Sequence, residues 1–240
     1  MRKGDQRRQA IIEAAEQLFY KNGYEGTSVQ DVLDVLKLSK GGFYHHFDSK
    51  LRLLEAICAQ KVEAACAYAQ TALSEAGDNA LDQMNALLSH IGLLNQENLD
   101  FVGLIIRVAY AGEGALLRDS LKRGYIEQLL PLMKEVVVNG FKQGVFFTPY
   151  PDRLAELLLN LGSCLTDEIG FALAQENGSP ECTIAIFEKL NAYRHAVETL
   201  TNAPYGSVQL YDMSRLISII KELDEQEKRL ESIEHPEISA

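Results

Sequence analysis

The sequence predicts an all-α chain: an N-terminal three-helix unit of helix-turn-helix type, joined by one long helix to a larger helical body. Apolar residues recur at three- and four-residue spacing through most of the 240 residues, the period of helices that bury one face. Proline is confined to Pro131, Pro149, Pro151, Pro180, Pro204 and Pro236, so the stretch from Met1 to Leu130 contains none. No alternating apolar–polar run of useful length occurs. Val136–Val138 and Val145–Phe147 are too short and isolated to make a sheet.

The first helix is expected over about Gln6 to Tyr20, with Ile11, Ala14, Ala15, Leu18 and Phe19 on its apolar face. The segment Asn22-Gly23-Tyr24-Glu25-Gly26 ends it, with glycine supplying the left-handed cap. Thr27 or Ser28 opens the second helix, since Thr27-x-x-Gln30 and Ser28-x-x-Asp31 both fit a capping box. Its core face is Val29, Val32, Leu33 and Leu36. A turn at Lys37-Leu38-Ser39 leads into a short third helix, Ser39 to about His46. Asp48 or Ser49 caps the long fourth helix, striped by Leu51, Leu54, Cys58, Val62, Ala65 and Ala69 and closed near Gly77. The body then shows apolar patterns over Ala80–Leu94, Leu99–Ala111 and Ala115–Phe141, the last kinked at Pro131. Asp152 caps a helix carrying Leu154, Leu158, Leu161, Leu165, Ile169 and Ala172. Another follows Ser179-Pro180, with Ile184, Phe187, Leu190, Val197 and Leu200. An amphipathic segment from Met213 to Ile233 closes the chain; its Leu216, Leu223 and Leu230, seven apart, suit docking along another helix.

Net charge is −11. Residues 1–61 contribute +2 and residues 62–240 contribute −13, an almost neutral head on an acidic body. Such a head can hold DNA if its cations share one face, while the body repels phosphate. The basic start, MRKGDQRRQ, is followed by no signal-like apolar stretch, and no apolar run approaches the ~20 residues of a membrane span. A cytoplasmic protein without a membrane partner is expected. Cys58, Cys66, Cys164 and Cys182 form no C-x-x-C pair and read as buried free thiols. No metal set, nucleophile elbow, phosphate loop or dinucleotide fingerprint appears, so neither an enzyme nor a cofactor is expected.

The informative stretch is Thr27 to Leu51. On the third helix Phe43 and Phe47 share the core face, whereas Lys40, Gly41, Tyr44 and His45 fall on the opposite arc. A cation, a hydroxyl-bearing aromatic and an imidazole beside a bare backbone suit a major groove. The Ser39 end presents free N–H groups to a phosphate. Thr27 and Lys50, opening the flanking helices, can grip the same backbone.

These residues resemble the TetR family of transcriptional regulators over the N-terminal ~60 residues. The match comprises Leu18-Phe19, Gly23-Tyr24-x-Gly26-Thr27-Ser28, Asp31-Val32, the run Leu38-Ser39-Lys40-Gly41-Gly42-Phe43-Tyr44-His45-His46-Phe47, and Ser49-Lys50-x-x-Leu53-Leu54. The resemblance implies that Ser39 to His46 is the recognition helix. Thr27, Tyr44 and Lys50 would contact phosphates, and Lys40, Gly41, Gly42 and His45 would lie near base edges, with Ser28, Ser39 and His46 in the same DNA-binding set. The family usually has glycine in the turn where this chain has Lys37; a positive φ there would carry strain.

By layout alone, the resemblance implies a helix-turn-helix domain over 4–64, a ligand-binding and dimerisation domain over 65–204, and an extra C-terminal helix over 205–240. Two copies would pair through Leu158, Leu161, Leu165, Ile169, Ile184, Phe187 and Leu190. A small-molecule pocket would lie among the helices of residues 80–176, with His90, Arg107, Tyr110, Tyr125 and Asp167 as candidate lining. The implied function is a sequence-specific regulator, a repressor in the commoner mode, that binds palindromic double-stranded operator DNA as a homodimer under the control of a small-molecule effector. The alternative is a helical adaptor or sensor that keeps the fold without DNA binding. Thr27, Lys40, Tyr44 and Lys50 oppose it, since an adaptor has no use for such a set on one side.

Overall fold

A computed structural model describes residues 3–89, 98–111, 114–176, 179–210 and 213–234. Every regular element among the described residues is helical. The head consists of α1 (Lys3–Asn22), α2 (Val29–Leu36) and α3 (Lys40–Tyr44), followed by the long α4 (Lys50–Glu75). Then come α5 (Ala80–Leu88), α6 (Leu99–Ile105) continuing as a π-helical turn (Ile106–Tyr110), α7 (Ala115–Gln143), α8 (Pro151–Glu176), α9 (Pro180–Thr201) and α10 (Met213–Glu234).

Local chemistry accounts for the boundaries. Gly23, at φ 77°, ends α1. Ser28 rather than Thr27 caps α2, accepting from the Asp31 amide while the Asp31 carboxylate accepts from the Ser28 amide. Ser39 caps α3 and Ser49 caps α4. Ser179 caps α9, with Pro180 in its first turn, where a missing N–H costs nothing. α7 includes Pro131 within one helix. One expectation changes: α8 opens at Pro151, placing Asp152 in its first turn.

Three apolar clusters order the molecule. The head's core joins Ile11, Ile12, Ala15 and Phe19 to Val32, Leu33, Phe43, Phe47, Leu53, Leu54 and Ile57, and also takes in Phe101, Leu104 and Ile105 of α6. The body's core is built from α4, α5, α7, α8 and α9 around Val62, Met84, Met133, Val137, Leu158 and Val197. The third cluster sets Val102 and Ile106 against Ile169, Leu173, Ile186 and Leu190, with Ile219 and Ile220 of α10. α4 spans head and body over about 39 Å, at 1.5 Å per residue. α6 puts one face into the head and the other against α10.

The expected dimer stripe is corrected in phase. Leu158 is 0% exposed, Ile169 and Leu190 are buried, and Leu165 packs on the internal clusters. The chain's own core occupies these side chains. The outward face of α8 is instead Leu157, Leu161, Cys164 and Phe171, and Ile184 and Phe187 of α9 are exposed as well. Cys164 is thus exposed, unlike the buried Cys58, Cys66 and Cys182. By length and composition, Pro151–Gln175 is also apolar enough to cross a membrane, a test that the core helix of a soluble protein passes as well. Its apolarity serves two surfaces, one buried in this chain and one left outside it.

Candidate nucleic-acid interface

The α2–turn–α3 unit is held from within by Phe43 and Phe47, whose rings lie 6.0 Å apart over the head's core. That anchoring turns the opposite arc of α3 outward: Ser39, Lys40, Gly41, Tyr44 and His45 are exposed, and Gly42 and His46 half-buried. A Cβ on Gly41 would meet nothing within 4 Å, so the free chain does not need glycine there. Close approach by another molecule does. Lys37, the left-handed cap of α2, has φ 52°, so the expected positive φ is present on a residue with a side chain.

Thr27 does not join the outward set. It is 1% exposed, and its hydroxyl donates to the carbonyls of Gly23 at 2.8 Å and Leu18 at 3.2 Å. A hydroxyl has one proton, so none remains for a phosphate. Ser28 beside it is exposed and bonds Asp31. This chemistry holds the Asp31 carboxyl below its ordinary value, the Ser28 hydroxyl contributing most and its amide next. The Lys50 ammonium donates to the Tyr24 carbonyl at 2.8 Å, lies 4.1 Å from the Tyr24 ring centroid and is 3.7 Å from Glu25. It therefore pins the α1–α2 turn, and a lysine with three N–H donors still has protons for a phosphate.

Arg7 and Arg8 are exposed on α1 beside the third helix. The Arg8 guanidinium lies 5.0 Å from the Phe47 ring centroid. Partial shielding from water, then His45 and then these two arginines, hold the His46 imidazole below its ordinary value. Sequence reasoning did not place them here. The signal was the RR of the basic start, which only the packing of α1 brings near His46 and Phe47.

The body's candidate residues divide. Tyr110, ending the π-helical turn, donates to Asp167 of α8 at 3.2 Å and meets the Phe171 ring edge-on at 5.2 Å. Gly170 permits this, because a Cβ there would overlap the Tyr110 ring. Arg118 covers the same pair, 4.9 Å from the Phe171 centroid, while donating to the Ala109 carbonyl. Burial, then Asp167, raises the Tyr110 phenol above its ordinary value. Tyr125 lies apart in the α4–α7 seam, its phenol raised by burial and then by Cys66 and Cys58. Arg107 lies against α10, close to Gly103. His90 is outside the described residues.

Comparison with known proteins bears on the head first. Residues 11–57 match the family described as "Bacterial regulatory proteins, tetR family". An uncharacterized HTH-type transcriptional regulator from Lactococcus lactis subsp. lactis is 54% identical over 43 residues, 18% of this chain and 22% of that protein. The HTH-type transcriptional repressor DhaR of Mycobacterium sp. (strain GP1) is 27% identical over 155 residues, 63% of this chain and 76% of that protein. The chain thus matches about a fifth of one relative's length and three quarters of the other's. A TetR-family transcriptional regulator from Pectobacterium atrosepticum has the same fold, with TM-score 0.64 at 20% identity over 84% of this chain and 97% of that one.

Proposed function

We propose that the chain, whose residues 11–57 match the tetR family of bacterial regulatory proteins, is a dimeric transcriptional repressor whose grip on a palindromic operator is altered by a small molecule. The observation that carries the DNA-binding part is the two-sided third helix. Phe43 and Phe47 are fixed in the core, while Ser39, Lys40, Gly41, Tyr44 and His45 are exposed on the opposite arc. Arg7, Arg8, Lys50 and Tyr44 supply the phosphate contacts, and Lys40, Gly41 and His45 face base edges. An adaptor without DNA binding leaves this arc unexplained. DNA binding also places the protein in the cytoplasm with the chromosome.

The second copy covers Leu157, Leu161, Phe171, Ile184 and Phe187. A dimer reads a palindrome only when its recognition helices reach successive major grooves, about 34–36 Å apart or a multiple of that. α4 begins beside α3 and ends in the body's core, so a small tilt of this rod changes the separation of the heads. An effector held among α4, α7, the π-helical turn and α8 selects one separation, by no more than its difference in affinity between the two.

Selection from a random duplex library, followed by titration at several salt concentrations, tests the reading. Lys50→Ala is expected to weaken selected and random duplexes alike and to lower the log-salt slope by about 1. His45→Ala is expected to relax preference at particular base pairs, costing about 1–3 kcal/mol there. Failure of the wild-type protein to enrich any duplex would refute the proposal.

A further inference from the structure

α10 packs on α6 through an apolar stretch and then a polar one. Ile219 and Ile220 are buried against Val102 and Ile106. Further along, Gln226 is 7% exposed and lies over Gly103. Its Nε2 donates to Asp100 Oδ1 at 3.3 Å, and its Oε1 is buried with no hydrogen-bond partner. Leaving a buried amide oxygen unpaired opposes folding, and a methionine of similar length would pack as well without that cost. Gly103 makes the arrangement possible, since a Cβ there would collide with Gln226 Oε1. Packing alone therefore does not account for the glutamine.

The polar run continues into the head. Asn98, which caps α6, donates from Nδ2 to Tyr20 Oη at 3.4 Å. Tyr20 donates to Glu16 Oε1 at 2.6 Å, and Lys61 of α4 pairs with the same carboxylate at 2.5 Å. The Asp100 charge is near enough to add to the upward push that burial and Glu16 exert on the Tyr20 phenol. On the neighbouring face of α6, Phe101, Leu104 and Ile105 are inside the head's core. One short helix thus has the C-terminal helix on one side and the DNA-binding head on the other.

We infer that Gln226 is a positioning residue for DNA binding: through Asp100 and the start of α6, the docked α10 sets the orientation of α1 and with it the recognition helix. A closely packed core passes such a displacement on rather than absorbing it. The extra helix is then an internal effector, acting on the same head-to-head spacing as a bound small molecule. This inference rests on the DNA-binding reading above.

The test uses the full-length protein and the duplex that the wild type selects from a random library. Gln226→Met keeps the packing and removes the Asp100 bond. Gly103→Ala displaces the Gln226 amide, and crowds Arg107 Nη1, without changing the sequence of α10, and favours α6 as a helix. Neither is expected to lower thermal stability, so an affinity change does not follow from unfolding. Both variants are expected to shift affinity for the selected duplex at least fivefold in the same direction, to leave affinity for random duplex within twofold, and to speed amide exchange in α1. Selected-duplex affinity within twofold of wild type in both variants would overturn the inference, as would equal shifts on selected and random duplexes. If the wild type selects no duplex, the DNA-binding reading fails first and the inference falls with it.

Discussion

Ile184→Glu tests the dimer surface most directly, because Ile184 is 59% exposed in the single chain whereas Leu158 is 0% exposed. Together, Leu157, Leu161, Phe171, Ile184 and Phe187 leave on the order of 500 Å² per copy outside the chain's own core. For a pair this is ~1,000 Å², the lower bound of a specific interface. Two-fold symmetry presents each substitution twice. An unpaired buried charge costs about 3–5 kcal/mol, so the dimer loses ~6–10 kcal/mol. At 1.4 kcal/mol per decade, the dimer Kd rises by at least ~10⁴. Sedimentation velocity should then show a monomer, and circular dichroism an unchanged helical signal. Leu158→Glu should unfold the chain instead, because its charge enters the body's core. A folded Ile184→Glu dimer of wild-type affinity would refute the assignment of this face.

Lys37→Gly removes a side chain from the left-handed cap of α2 and should stabilise the protein by up to about 1 kcal/mol. A thermal melt should show the midpoint rising by about 2–4 °C, and an unchanged or lower midpoint would mean the turn is unstrained. Thr27→Val should cost about 1–2 kcal/mol by leaving the Gly23 and Leu18 carbonyls without its hydroxyl. Its DNA affinity well below the melting range should match wild type; a selective loss there would restore Thr27 as a phosphate contact. Asp31 has a lowered folded-state pKa, so its contribution to stability is complete above the ordinary carboxylate range and is lost as pH falls through the folded value. Asp31→Asn should therefore flatten the acid limb of a stability–pH titration, and an unchanged limb would refute the capping assignment.

The sequence by itself determined the helices and the outward arc of α3, because both follow from short-range rules. Caps at Ser28, Ser39, Ser49 and Ser179 act on amides three residues on. The i, i+4 spacing of Phe43 and Phe47 decides which face of α3 turns inward before any other helix is placed. Long-range packing decided the rest. α8 has apolar residues on two adjoining faces, and periodicity cannot say which is buried in this chain and which is left outside it. Only the positions of α7 and α9 put Leu158 inside and Leu161 outside. Thr27 reads as a free hydroxyl until the α1–α2 turn folds over it. Arg7 and Arg8 read as a basic tail until folding brings α1 near His46 and Phe47. Gln226 and Gly103, separated by more than a hundred residues, acquire a relationship only when α10 lies on α6. Local hydrogen-bonding rules act over a few residues and are legible in order along the chain. The choice of which apolar face is buried depends on contacts between distant segments, and no local pattern records it.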